Sequence, residues 1–103
     1  GIFQPHLFSR TLDHAEGFAA ILDQLDEVIL LPVYPARERP IEGVTSKLIF
    51  DKMKNLNKRL LEKSDIPGAL DIARLDVLIT IGAGDIDSLV KPVEDLLRRE
   101  RAR

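Results

Sequence analysis

Phe3-Gln4-Pro5-His6-Leu7-Phe8-Ser9-Arg10-Thr11 breaks an apolar run at a proline and delivers an imidazole and a guanidinium into a short turn. Pro5 lacks a backbone donor, so a strand that begins at Ile2 cannot continue through it. Just beyond, Thr11 or Asp13 is placed to cap a helix whose apolar face reads Phe18, Ile21, Leu22 and Leu25. His6, Ser9 and Arg10 therefore fall where a strand hands over to a helix, the end of an α/β sheet at which ligands are usually held. A turn of this composition can grip a small anion.

Outward from this turn the chain alternates strand and helix. Strands are expected over 2–4, 27–33, 59–62 and 76–81; "VILLPV" and "VLITI" are nearly continuous apolar runs, as for strands covered on both faces. The first helix is expected over 11–25. A second, capped by Thr45 or Ser46, carries Leu48, Ile49 and Met53. A third spans 66–74 with Pro67 in its first turn, and the last spans 86–99 with Leu89, Val93, Leu96 and Leu97 on one face. Alternation of this kind implies a mainly parallel sheet with right-handed crossovers. The expected architecture is one α/β domain over 1–103, a Rossmann-like three-layer sandwich with strand order 3-2-1-4. That order sets the first and last strands side by side, so the 6–10 turn lies next to the 82–85 turn, with the "VYPARERPIEGV" loop on the other side.

Composition narrows the function. The 103 residues are 45% hydrophobic, enough to bury a core without metal or disulfide. Cysteine is absent, which removes thiolate catalysis and cysteine-type zinc sites. A formal charge of -2 supplies no general attraction for nucleic acid or an anionic membrane, and the one cationic cluster, "RRERAR" at 98–103, reads as a solvated helix end. No segment approaches the ~20 apolar residues that span a bilayer, and no secretory signal opens the sequence. The expected partners exclude nucleic acid and membrane, and the expected compartment is the cytoplasm.

Each candidate has a plainer alternative. Arg10 can form a bidentate pair with a carboxylate, or pair with Asp13 in the first helical turn. His6 can orient a ligand or meet a neighbouring domain, or it can be structural; His14, on the helix, reads as a surface or packing residue. Tyr34 can contact the ligand or only cover the crevice, and Arg37 and Arg39 are weaker candidates than Arg10 in a stiff loop. Gly82-Ala83-Gly84 after a strand invites a dinucleotide reading, but the third glycine of G-x-G-x-x-G would fall at Asp87. Asp85 reads equally as an N-cap. No phosphate loop of the type G-x-x-x-x-G-K-[ST] and no metal-holding carboxylate pair is present, so no metal ligand is expected.

"FQPHLFSRT", "LLPVYPARERPIEGVTSK" at 30–47 and "VLITIGAGDI" at 77–86 together resemble, in order and spacing, the C-terminal domain of the Mur ligase family, in its alanine-adding branch. Leu7 stands where many of these ligases have arginine, and the Asp-Asp-Tyr and His-His-Pro segment that opens the family's domain is not in the sequence, which implies a domain truncated at its N-terminus. The resemblance implies a bacterial, ATP-dependent ligase of peptidoglycan biosynthesis, a process of cell wall biogenesis, cell shape and cell division. In it the UDP-N-acetylmuramate carboxyl is phosphorylated and L-alanine attacks the acyl phosphate. ATP and Mg2+ would be bound mainly outside this chain, which alone would be inactive. The resemblance assigns substrate binding to His6, Arg10, Tyr34, Gly82 and Gly84, with Ile86 shaping a small apolar slot. Truncation would bare apolar sheet surface near Ile2 and Phe3, to be covered by self-association or by a helix rearranged over the gap. The competing readings are a stand-alone nucleotide-binding or flavodoxin-like module, for which a glycine turn after the first strand is lacking, and a purely structural interaction domain.

Overall fold

The aliphatic runs at 2–3 and 28–31 have almost no polar atoms to leave in water, and they become the middle of the sheet. In the computed structural model, which describes residues 1–34, 38–70, 77–82 and 85–101, four parallel strands lie in the order β3-β2-β1-β4. They are β1 (Ile2–Phe3), β2 (Val28–Leu30), β3 (Lys58–Leu60) and β4 (Thr80–Ile81). Ile2 sits opposite Ile29 on one side and Thr80 on the other. This is the strand order expected from the sequence.

Alternation along the strands divides the core in two. Phe3, Val28 and Leu30 point to one face, where Ala15, Ala19 and Leu22 of α1 (Phe8–Leu22) and Ile49 of α2 (Ser46–Lys52) cover them. Ile2, Ile29 and Leu31 point to the other, against Ile66 of α3 (Ile66–Ala69) and Ile86, Leu89 and Val93. Those last three belong to a 3-10 segment, Asp85–Leu89, and to α4 (Val90–Arg101) that continues it. The result is three layers. Each fully buried Leu or Ile contributes about 1.5–3 kcal/mol, against roughly 0.2–0.5 for each exposed i,i+4 ion pair such as Lys47–Asp51 or Arg98–Glu94. Burial of Ile2, Leu30, Leu31, Ile49 and Ile66, not surface charge, holds the fold.

Three expectations about element ends are corrected. α1 begins at Phe8, three residues before Thr11, because its first amides find a cap elsewhere in the chain. Thr11 is fully buried instead, and its hydroxyl donates back to the Leu7 carbonyl at 2.8 Å. The third helix is α-helical only over Ile66–Ala69, after a 3-10 turn at Lys63–Asp65, and residues 71–74 of its expected span lie outside the described residues. The last helix is α-helical only from Val90. Pro92 has no amide to give to the residue 88 carbonyl, so regular α-helix starts where that proline falls in the first turn. The bare surface expected near Ile2 and Phe3 is also absent, since they are 0% and 7% exposed under the two helical layers.

Candidate functional site

Pro5 ends the β1 ladder and lies buried, and the chain then turns sharply into α1. The turn is fastened to the end of β2. Tyr34 N–H donates to the Pro5 carbonyl at 2.8 Å and Leu7 N–H to the Tyr34 carbonyl at 2.9 Å, so His6 and Tyr34 form a parallel bridge beyond the named strands. Their rings stack, with centroids 5.8 Å apart and planes 15° from parallel. His6 Nδ1 is buried without a hydrogen-bond partner among the described residues. A buried ring nitrogen in that state is an open polar contact.

Leu7 bears the strain of the turn. Its φ of 67° lies in the left-handed region that side chains other than glycine's rarely adopt. Three hydrogen bonds hold it there, its amide to Tyr34 and its carbonyl from the Thr11 amide and hydroxyl. As the N-cap of α1 it offers no side-chain acceptor. Glu38 supplies the acceptor from 29 residues away: one carboxylate oxygen accepts from Ser9 N–H at 3.1 Å and the other from the Ser9 hydroxyl at 2.5 Å. The Ser9 hydroxyl and amide hold the Glu38 carboxyl below its ordinary range against a smaller cost of burial, and the Phe8 amide and nearby His6 act in the same direction. Arg10 follows on an exposed position and, among the described residues, makes no ion pair or hydrogen bond, so the pairing with Asp13 is not formed.

On the opposite flank, Gln4 is 6% exposed, and its side-chain oxygen accepts from Ile86 N–H at 2.9 Å. Gly82 explains how the β4 turn comes so close. A Cβ there would stand 3.0 Å from the Gln4 carbonyl oxygen and 3.0 Å from Ile86 Cγ2, and its φ is 158°. Ile86 is 4% exposed and packs in the core.

The structure thus brings His6, Tyr34, Gly82 and Ile86 to one end of the sheet, with Arg10 in the first turn of α1; Gly84 and Arg37 lie outside the described residues, as does the side chain of Asp85. His14 is an exposed helix residue set edge-on to Phe18 at 6.2 Å. A cavity of about 400 Å³ opens at the β2–β3 side of the same end, lined by Phe8, Val33, Thr45, Ser46 and Glu62 among others. Two residues of this region escaped the sequence reading. Gln4 carried a signal, a lone amide inside an apolar strand run, whereas Glu38 carried none, being one charge in a charged loop.

No family model matches the chain. Its sequence is 48% identical over 96 residues to the UDP-N-acetylmuramate–L-alanine ligase of Flavobacterium johnsoniae, covering 93% of this chain and 21% of that protein. Against the enzyme of the same name from Parabacteroides distasonis it is 49% identical over 100 residues, covering 97% and 22%. Against that of Porphyromonas gingivalis it is 54% identical over 99 residues, covering 95% and 22%. Over nearly its whole length the chain, with its parallel α/β sheet and its strand-end turns, is thus similar to UDP-N-acetylmuramate–L-alanine ligases, as its resemblance to the Mur ligases implies. It spans about a fifth of the length of the curated relatives it matches.

Proposed function

We propose that residues 1–103 form one domain that seats L-alanine in an ATP-dependent UDP-N-acetylmuramate–L-alanine ligase of cytoplasmic peptidoglycan biosynthesis. The observation that carries this reading is the His6–Tyr34 bridge, which fixes the turn leading to Arg10 at the C-terminal end of β1, beside the β4 turn. A guanidinium unpaired among the described residues, at such a place, suits a carboxylate, whose two oxygens match its fork. His6 stands at the end of the same strand, its ring stacked on that of Tyr34. Gly82 and Gly84 let main chain approach the ligand, Tyr34 covers the crevice, and Ile86 closes it from below.

In this role the domain positions a nucleophile. Alanine held by its carboxylate presents its amine to a muramyl acyl phosphate formed elsewhere in the enzyme, so orientation and exclusion of water are the contribution. ATP and Mg2+ would act on the other domains. Among the described residues no group of three His, Asp or Glu side chains is placed to hold a metal ion, and we assign none of them to Mg2+. No helix among the described residues is long and apolar enough to cross a membrane. Steady-state kinetics of Arg10→Ala in the full-length ligase, with alanine and ATP varied separately, test the reading.

A further inference from the structure

Resting on that reading, we propose that Glu38 is a positioning residue for the alanine seat: by clasping Ser9 across the turn, its carboxylate holds α1, and with it Arg10, in register with His6 and Tyr34.

The turn needs an outside fastening. Leu7 cannot cap α1 with its own side chain, no acidic residue stands in the helix's first turn, and the φ of 67° at Leu7 favours relaxation of the backbone. Glu38 answers each need at once. It takes the Ser9 amide and hydroxyl on separate oxygens, so a single side chain fixes both the position and the rotation of the first helical turn. A carboxylate at a helix N-terminus also complements the positive end of the dipole. The remaining ties on the turn, those to Tyr34 and Thr11, hold Leu7 and leave the following residues free to tilt. Arg10 is the next residue after Ser9, and the clasp therefore sets where its guanidinium starts from. The depressed titration of Glu38 fits a carboxylate that is ionised and engaged. Misplacement of a binding group by about 1 Å can cost on the order of 100-fold. Partial loosening, with the Leu7 bonds intact, should cost about tenfold.

The test compares Glu38→Gln, Ser9→Ala, the double variant, Glu38→Asp and Arg10→Ala in the full-length ligase carrying this chain. Glu38→Gln and Ser9→Ala should each raise KM for L-alanine about tenfold and leave KM for ATP unchanged. The double variant should be no worse than the poorer single one, because both remove the same clasp. Glu38→Asp keeps the charge and should recover part of the loss. Should Glu38→Gln fail to fold, Ser9→Ala removes the hydroxyl half of the clasp and keeps the amide half. A raised KM for alanine in Arg10→Ala, with Glu38→Gln or Ser9→Ala within about twofold of wild type, overturns the positioning role and leaves the alanine seat standing. Additive effects of the two clasp variants overturn it as well. An unchanged alanine KM in Arg10→Ala overturns the seat itself.

Discussion

The Gln4 side-chain oxygen accepts a hydrogen bond from Ile86 N–H at 2.9 Å, joining the end of β1 to the start of the last helical segment 82 residues later. The bond is buried, and Gly82 makes it possible by letting the β4 turn approach the Gln4 main chain. Two turns distant in sequence are thereby locked as one rim.

That lock should be costly to break. Gln4→Met keeps most of the volume but leaves the Ile86 amide without its acceptor, and an unsatisfied buried donor costs about 1–3 kcal/mol. Gly82→Ala places a methyl 3.0 Å from a backbone oxygen that cannot swing aside, for a loss of similar size, about 1–3 kcal/mol. Urea denaturation of both variants checks this. Stability within about 0.5 kcal/mol of wild type in either would contradict the tight approach described here.

Strain at Leu7 makes an opposite forecast. At an ordinary site glycine is about 0.5–1 kcal/mol worse than alanine, but a left-handed φ reverses the order. Leu7→Gly should therefore be at least as stable as Leu7→Ala. Thermal or chemical unfolding of the pair decides it, and an alanine variant clearly more stable than the glycine one would remove the strain from the account.

Acid should loosen two fastenings. The Lys54 and Asn55 amides hold the Asp23 carboxyl below its ordinary value, as the Ser9 hydroxyl and amide do for Glu38. A carboxyl with a lowered folded value contributes stability that is present in full above its unfolded value and is lost as pH falls through the folded one. For these groups the loss begins near their ordinary values of 3.8 and 4.5 and deepens below them. Asp23→Asn and Glu38→Gln should each flatten the acid limb of a stability-against-pH curve and leave its slope at neutral pH unchanged. An acid limb as steep as wild type in both would show that these contacts do not titrate with folding.

The fold was legible where burial dictates pattern. "VILLPV" reads as a strand covered on both faces, and Val28 to Leu31 are buried. "VLITI" reads the same way, yet β4 is only Thr80–Ile81 at the sheet edge, with Val77 and Ile79 exposed, while the strand order is the Rossmann-like one expected. Ends of elements were less legible because distant groups decided them. Thr11 has the chemistry of a cap, yet Glu38 caps α1 from another loop and frees Thr11 to enter the core. In the site, His6 and Tyr34 announce themselves by position at strand ends. Gln4 and Glu38 act through contacts at sequence separations of 82 and 29, and no local pattern encodes those.

The central claim, that Arg10 anchors the alanine carboxylate, is tested most directly by kinetics of Arg10→Ala in the full-length ligase. Truncating one partner of a charge-assisted pair in a partly desolvated crevice costs on the order of 2–4 kcal/mol, and each ~1.4 kcal/mol is a factor of ten. The account predicts a fall in kcat/KM for alanine of roughly 30-fold to 1000-fold, little change in the ATP dependence, and partial recovery in Arg10→Lys, whose point charge cannot reproduce the fork. An alanine dependence in Arg10→Ala indistinguishable from wild type would contradict it.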